Sequence, residues 1–215
     1  MRYNHTKWPT RLAALATVLV MSIGAAASAT AQSATGQAYG AYVQTPVASQ
    51  SRTPMAVLPS DGQADGQMAE ASGEALSVPG AFSSELLTST TTGATGAGKA
   101  GAQSIATVAE VSILNGLISA SRVFGVASAT RVGGSTISDA NGSSFEGLSV
   151  GGVTVADDVA PNTRMSLPGV GYVVLNEQIQ SASGITVNMI HVVLQGLFGS
   201  KIGEIIVGSA TSRVS

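Results

Sequence analysis

Paired turn residues recur through the second half of the chain and separate short runs of β-branched side chains. Asn115-Gly116 and Asn141-Gly142 suit type I′ hairpin turns, because both central positions of that turn require a positive φ. The further turn signals are Gly133-Gly134, Gly151-Gly152 and Pro168-Gly169. Their spacing of roughly ten residues is typical of an all-β sandwich or barrel.

We therefore predict a single all-β domain, an antiparallel β-sandwich of about eight to ten short strands. A β-solenoid or β-roll is the alternative, and the absence of a repeat of fixed period speaks against it. The strongest strand signal is residues 185–194, where both faces are mostly apolar, as in a central strand covered on both sides. Strict alternation places Met189 and His191 on one face of that strand and Asn188 on the other.

The first 31 residues have the pattern of an export signal. A basic start precedes an apolar run at residues 12–23, and small residues suited to cleavage follow at Ala29 and Ala31. About a dozen apolar residues are too few to cross roughly 30 Å of hydrocarbon. We predict that residues 1–31 form a signal-peptide helix and that the remainder of the chain is secreted. The alternative is that the secreted protein stays loosely associated with the cell surface.

The remaining chain divides into a short linker at residues 32–36 and a single β domain at residues 37–215. The first part of this domain is loose in composition and rich in Pro, Gly and Ser, and we predict a flexible loop at residues 60–73. Strand-like pieces lie nearby at residues 39–43 and 85–92, which predicts one or two edge strands there.

Charge and hydropathy exclude several classes of partner. The chain has 10 basic and 12 acidic residues, and three basic ones lie in the leader, which leaves 7 basic and 12 acidic side chains and a formal charge of −5. No basic run remains, so nucleic acid and anionic membrane surfaces are unsuitable partners. No later apolar run reaches the ~20 residues of a membrane span, and we expect no membrane anchor.

Metal and cofactor chemistry have few candidate ligands. Beyond the leader the only histidine is His191, and the chain has no cysteine, so zinc and copper lack a ligand set. Residues 93–100 (GATGAGKA) approach a phosphate-binding loop, but Ala100 stands where Ser or Thr would hold magnesium. We therefore expect no cofactor and no metal.

Calcium is the alternative that stays open. Oxygen ligands are present at Asp139, Asn141, Ser143 and Glu146, and at Asp157-Asp158. Asx turns explain the same residues without a metal. A calcium-stabilised adhesive module is therefore an alternative function rather than the expected one.

A serine hydrolase is the enzymatic alternative. GLSVG at residues 147–151 fits the G-x-S-x-G nucleophile motif, and an aspartate pair and His191 follow Ser149 in the order of the hydrolase triad. That motif needs a strand-to-helix turn, whereas Ser149 lies in an alternating strand pattern with no helical pattern after it. We expect a protein that is not an enzyme and keep Ser149 with His191 as the alternative.

Polar side chains concentrate on two neighbouring predicted strands. The candidates for a site are Asn176, Glu177, Gln178, Asn188 and His191. An unpaired buried polar group costs about 1–3 kcal/mol, so these residues either satisfy one another as a network or line a shallow pocket. Buried polar side chains are normally paired, which favours the network.

Three segments, SLPGVGYVVLNEQ, GITVNMIHVVL and GEIIVGSAT, resemble the choice-of-anchor P family. The upstream segments AYGAYV, SVPGAFSSELLTSTTT and IATVAEVSILNGLISA occupy corresponding places, so the resemblance covers roughly residue 37 to the end. This family consists of exported bacterial proteins, mainly actinobacterial, in which a shared domain is joined to varying surface anchors. The resemblance implies an exported or surface-attached β domain, and it supplies no activity and no catalytic residues. No anchor is recognisable in this chain, which favours release or non-covalent attachment.

The sequence thus predicts an exported, non-enzymatic surface or extracellular protein with a structural or interaction role. Self-association, or binding to a protein of the cell envelope, is the expected mode of action. This expectation rests on the strand-rich, weakly charged and cysteine-free composition together with the resemblance.

Overall fold

The computed structural model describes residues 32–59 and 66–215, and 72 % of them lie in β-strands. The strands are β1 (Ala34–Gln44), β2 (Ser49–Val57), β3 (Gln67–Gly73), β4 (Leu76–Val78), β5 (Phe82–Ser84), β6 (Leu86–Gly96), β7 (Lys99–Ile113), β8 (Ile118–Val132), β9 (Ser135–Asp139), β10 (Ser144–Glu146), β11 (Ser149–Val150), β12 (Val153–Thr154), β13 (Thr163–Leu167), β14 (Gly171–Ser181), β15 (Gly184–Gln195) and β16 (Lys201–Val214). A 3-10 turn at Leu197–Gly199 is the one helical segment described, and no described helix could cross a membrane.

The strands form two antiparallel sheets that do not close into a barrel. The six-stranded sheet has the order β13-β14-β15-β16-β1-β2. The ten-stranded sheet is built on β7 and β8: β6, β3, β5 and β4 extend it beyond β7, while β9, β10 and β11 pair in succession with β8, and β12 pairs with β11. Because β16 packs across β7 and β8 and β1 packs across β6 and β7, the two sheets face each other as a sandwich.

The predicted all-β sandwich class is therefore confirmed, with more strands than predicted. Each of the turn pairs lies between strands, and Gly133 and Gly134 have the positive φ values (55° and 90°) of a two-residue hairpin turn between β8 and β9. The count exceeds eight to ten because short strands share the long edge of β8. The predicted leader lies outside the described residues.

The predicted linker and the predicted flexible loop are both partly wrong, because described residues of each lie in β-strands. The linker at residues 32–36 overlaps β1, which begins at Ala34 and pairs there with Val214. The second part of the flexible loop at residues 60–73 is strand β3, which pairs with β6 from Gln67 to Gly73; residues 60–65 lie outside the described residues. Neither segment has strong local β propensity, and pairing with a neighbouring strand supplies the backbone hydrogen bonds that order it.

A row of irregular backbone crosses the six-stranded sheet. Asn176 in β14 (φ 48°) and Gly208 in β16 (φ 66°) have left-handed conformations, and both lie opposite Met189 of β15. Gly40 of β1 continues the row, because the residue pairs on either side of it bracket Gly208. We call these four residues the kink row.

The kink row reverses the alternation of inward and outward side chains. In β16 the side chains of Ile205 and Val207 before the row, and of Ala210 and Ser212 after it, are buried toward the other sheet, whereas Ser209 is buried on the outer face against Asn188. A residue in the left-handed conformation reverses the orientation of the peptide that follows it. The residues after it therefore alternate between the two faces of the sheet in the opposite order. In a strand that crosses the row, the nearest outward-facing residues before and after it are three positions apart. Their side chains therefore lie on the same outer face of the sheet.

The core between the sheets differs at its two ends. The large-residue end contains fully buried aromatic and branched side chains, among them Phe145, Leu148, Leu175, Ile190 and Ile205. The small-residue end contains a separate cluster of Ala34, Ala100, Ala102, Ala129 and Val214. Buried hydroxyl groups join the sheets there: Ser104 Oγ accepts a hydrogen bond from Ser212 Oγ at 3.1 Å and donates one to Thr211 O at 2.7 Å.

Candidate functional site

The outer face of the six-stranded sheet collects the three tyrosines of the described residues. Tyr39 and Tyr42 flank the kink row in β1, and Tyr172 lies in β14 next to the inward-facing Val173. Cross-strand register places Tyr39 opposite Ser209 and places Tyr42 opposite Ile206, which is itself opposite His191. Directly opposite residues share a face, so these side chains form one surface, which we call the tyrosine face.

Two arginines from the edge strands stack on these tyrosines. The Arg52 guanidinium carbon lies 5.3 Å from the ring centre of Tyr39 and 5.9 Å from that of Tyr42. At the opposite edge, the Arg164 guanidinium carbon lies 3.7 Å from the ring centre of Tyr172. Guanidinium groups are attracted to the negative faces of aromatic rings, so these contacts fix the orientation of both arginine side chains.

His191 occupies the middle of the tyrosine face, between two glutamates on the neighbouring strands. His191 Nδ1 lies 2.9 Å from Glu177 Oε2 of β14, and His191 Nε2 lies 3.0 Å from Glu204 Oε2 of β16. Lys201 Nζ donates to Glu204 Oε2 at 2.7 Å. An ionised carboxylate only accepts hydrogen bonds, so both ring nitrogens must carry protons for both contacts to be made. The arrangement thus holds a histidinium that joins three adjacent strands.

The pKa values follow from these contacts. Burial by itself lowers the pKa of His191, but the hydrogen bonds and charges of Glu177 and Glu204 outweigh it and raise that pKa above 6.5. Burial by itself raises the pKa of Glu177, but hydrogen bonds from His191 and Asn188 outweigh it and lower that pKa. Against the same effect of burial, hydrogen bonds from Lys201 and His191 lower the pKa of Glu204.

Asn188 completes the group on the other side of the kink row. Its Nδ2 donates to Glu177 Oε2 at 2.7 Å, and its Oδ1 accepts a hydrogen bond from Ser209 Oγ at 2.7 Å. Asn188 and Ser209 are buried, and both polar atoms of the Asn188 side chain have partners. The structure therefore brings Glu177, Asn188 and His191 into one hydrogen-bonded network, which we call the histidine network together with Glu204, Lys201 and Ser209.

The expected placement of Asn188 and His191 on opposite faces of β15 is wrong. The two residues hydrogen-bond to the same Glu177 oxygen, which requires them to lie on one face. The reversal of the pleat at Met189 is the physical reason, because it places residues three apart on the same side.

Asn176 and Gln178 do not join the histidine network. Gln178 Nε2 donates to Asn176 Oδ1 at 3.1 Å, and Asn176 Nδ2 donates to Val159 O at 3.1 Å. Both side chains line a separate open cavity of about 390 Å³ between β14, β9 and two loops. The five predicted site residues thus divide between two places on opposite sides of the sheet.

The oxygen ligands considered for calcium are partly brought together. Asp139, Asn141, Ser143 and Asp158 line the same cavity as Asn176 and Gln178, whereas Glu146 pairs with Arg122 elsewhere. Asp139 Oδ1 accepts a hydrogen bond from the backbone of Asn141 at 3.0 Å, which is an Asx turn. Within the described ranges, no group of three or more His, Cys, Asp or Glu is arranged to hold a metal ion.

The structure does not bring Ser149 and His191 together. Ser149 lies in β11, next to the edge strand β12 of the ten-stranded sheet, and the two-residue turn after β11 leads into β12 rather than into a helix. His191 lies on the outer side of the other sheet, with both ring nitrogens bonded to glutamates. The phosphate-loop candidate is also a strand-to-strand hairpin, because Gly96 pairs with Lys99.

Sequence reasoning missed the residues contributed by other strands. They are Tyr39, Tyr42, Arg52, Arg164, Tyr172, Lys201, Glu204 and Ser209. One available signal was Gly208 inside an apolar strand, since such a glycine often marks a bulge or a close backbone approach. The grouping itself depends on cross-strand register, which a single sequence does not specify.

No protein-family model, no curated protein and no solved structure matches this chain. The resemblance to the choice-of-anchor P family therefore stays a prediction, and function has to be argued from the geometry of the described residues.

Proposed function

We propose that the chain is an exported, non-enzymatic interaction domain and that its tyrosine face binds a partner protein of the cell envelope or the extracellular space. The observation that carries the proposal is the gathering of two partly exposed tyrosines, Tyr42 and Tyr172, and two arginines on one side of one sheet. Tyr39 lies on the same side but is buried, with the Arg52 guanidinium over its ring. Tyr and Arg dominate the residues that contribute most binding energy at protein interfaces, because they combine large contact area with hydrogen-bonding groups.

The outer face of the ten-stranded sheet offers a contrast that favours this choice. There β6 presents Thr88, Thr90 and Thr92, and Thr107 of β7 lies directly opposite Thr88. Leu86 of β6 and Phe124 of β8 add apolar surface to that face, but none of the described tyrosines lies on it. The tyrosine face combines tyrosines with arginines and is therefore the better candidate.

Pre-organisation also supports binding at the tyrosine face. The arginines are held against the rings, and the histidine network fixes the charged groups between them. Side chains that are already ordered lose less conformational entropy when a partner binds, which increases the affinity for a given contact area.

Two further features support the remaining parts of the proposal. The leader pattern of residues 1–31 supports export. The hydrogen-bond partners of His191 are carboxylates and include no hydroxyl or thiol, which supports a non-enzymatic role, since a hydroxyl or thiol activated by histidine must lie within hydrogen-bond reach of it.

The binding test compares matched aromatic substitutions on the two outer faces. Immobilised protein from residue 32 onward is exposed to solubilised envelope and culture-medium proteins of the producing cells, and the affinity of each captured partner is measured. We expect Tyr42→Ala and Tyr172→Ala to weaken binding by at least about tenfold, as loss of a residue contributing 1.4 kcal/mol or more does. Phe124→Ala, on the outer face of the other sheet, is the control and should bind like the unchanged protein. Equal binding by all three variants would reject the tyrosine face.

The export part is tested separately by fractionation. Cells and medium are assayed for the protein, and the N-terminus of the exported form is sequenced. We expect a mature N-terminus within a few residues of position 32. Retention in the cytoplasm with residues 1–31 intact would overturn export and leave the binding test unaffected.

A further inference from the structure

Exposed apolar side chains stand at one end of the six-stranded sheet, where the turn after β15 and the turn after β1 lie side by side. Phe198 and Leu197 have relative exposures of 105 % and 87 %, and Val47 of the neighbouring turn has 91 %. The two turns are adjacent because Gly203, at the start of β16, lies against the backbone of Gln44 and Thr45. Large apolar side chains that project fully into solvent at one place mark an interaction surface.

The backbone holds Phe198 outward in a defined position. Its φ of 76° is left-handed, which is a true outlier for a bulky residue. Backbone hydrogen bonds fix the turn around it: Gly196 N donates to Ser200 O at 2.9 Å, and Gly199 N donates to Gly196 O at 3.0 Å. Strained backbone of this kind concentrates at binding and switch sites. The backbone therefore fixes the point from which the exposed Phe198 side chain leaves the surface.

A groove lies directly beside this projection. Its volume is about 400 Å³, and its walls are residues of two turns: Ser166 to Gly171 in one, and Gln195, Gly196, Leu197 and Gly199 in the other. No lining residue is charged, and Pro168, Val170 and Leu197 are among them. A 400 Å³ groove is within the size range of natural ligand sites and is large enough to accept a phenyl ring.

We propose that this end of the sheet is a homodimer interface in which Phe198 of each copy enters the groove of the other. A projection and a groove on one surface are what a two-fold interface requires, because each contact is then made twice. The uncharged groove also allows two copies of a net-negative chain to approach without bringing like charges into contact.

The contact area fits a second copy better than a large permanent partner. An aromatic side chain buries about 150–250 Å², so two copies of Phe198, two of Leu197 and the groove surfaces they cover give a total on the order of 1,200 Å². That is the lower end of stable protein interfaces. A dimer of moderate affinity, populated at tens to hundreds of micromolar protein, is the expected result.

This interface goes beyond the proposed function and adjoins the tyrosine face at one point, because the groove residue Ser166 pairs directly with Tyr172. The projecting Phe198 lies in the turn after β15 and is not part of the tyrosine face. Phe198→Asn therefore removes self-association and leaves Tyr42 and Tyr172 in place, so the two tests can fail independently.

The primary test measures mass against concentration by sedimentation equilibrium, using the chain from residue 32 onward, which lies within one compact unit. The unchanged protein should rise from monomer to dimer mass over roughly 5–500 µM, the range that corresponds to a dimer of moderate affinity. Phe198→Asn should remain monomeric and folded, because asparagine tolerates the left-handed conformation. Ile137→Asn, which removes another exposed apolar side chain at β9, is the control and should dimerise normally.

A cross-linking test uses the absence of cysteine from the chain. A single Leu197→Cys substitution should give a covalent dimer with a short bismaleimide, and the yield should fall when Phe198→Asn is added. Ile137→Cys should give no dimer. Monomer mass of the unchanged protein at every concentration, or equal dimerisation by Phe198→Asn, would overturn the proposal.

Discussion

At one end of the sandwich, where β1 begins and β16 ends, the space between the sheets is filled by Ala, Gly, Ser and Thr together with Val214. At the other end, toward the turns that carry Val47 and Phe198, it is filled by Phe, Leu, Ile and Val. Gly36 illustrates the first case, since a Cβ atom there would lie 2.8 Å from Ser104 Oγ. Phe145, with 1 % relative exposure, illustrates the second.

The comparison teaches that the two ends gain stability from different interactions. The large-residue end depends on buried apolar volume, so the removal of atoms should be costly there. The small-residue end depends on close approach and on hydroxyl hydrogen bonds between the sheets, so the addition of atoms should be costly. We therefore expect smaller side chains to destabilise the large-residue end and larger side chains to destabilise the small-residue end.

The largest expected effect is at the large-residue end. Phe145→Ala should lower the free energy of unfolding by about 3–5 kcal/mol, because it removes a fully buried ring and leaves a cavity. Urea denaturation followed by circular dichroism measures the change. Ile137→Ala, at an exposed position of β9, is the control and should change stability by less than about 0.5 kcal/mol.

A smaller loss is expected from one added methyl group at the small-residue end. Gly36→Ala should cost about 1–3 kcal/mol, since the new Cβ atom would displace the hydroxyl groups of Thr91 and Ser104. Gly101→Ala is the matched control in β7, because no atom lies within 4 Å of the added carbon. If both alanine variants were equally stable, the proposed tight packing at this end would be wrong.

The smallest expected effect concerns the junction between the two ends, where the histidine network crosses the kink row. The raised pKa of His191 means that its contribution is complete below 6.5 and is lost as the pH rises through the folded-state value. The lowered pKa values of Glu177 and Glu204 mean that their contributions are complete above 4.5 and are lost as the pH falls through the folded-state values. Stability from the network should therefore be greatest between about pH 4.5 and 6.5.

Thermal unfolding at a series of pH values measures this effect. We expect the melting temperature to fall by about 2–4 °C on the alkaline side, the shift that about 1 kcal/mol produces in a domain of this size. His191→Gln should remove the alkaline decline, because glutamine does not titrate. An identical pH profile for that variant would show that His191 does not stabilise the junction.

The sequence predicted the fold class because its strongest signals are local. Turn pairs such as Gly133-Gly134 permit the positive φ that a two-residue hairpin turn requires, whatever the rest of the chain does, so their positions marked real hairpins. Strand β3 was missed for the converse reason. Residues 67–73 become a strand by pairing with the threonine-rich β6, and that partner cannot be read from the segment itself.

The candidate site was predictable only in part. Glu177 and His191 stand out as polar residues within apolar strands, but the neighbours that give them a role come from cross-strand register. The kink row was the decisive missing element. A left-handed asparagine inside a strand is rare, and without it the alternation rule separates Asn188 from His191.

The position of β1 determines when the molecule can be completed. It lies between β2 and β16 in the six-stranded sheet, and Ala34 pairs with Val214 at the far end of the sequence. Contacts between residues so distant along the chain form slowly, because a long loop must close first. As the polypeptide is synthesised, β1 and β2 must wait until β16 has been made. Until then both β1 and β15 retain an unpaired edge, so the six-stranded sheet stays incomplete until residues 201–214 have emerged.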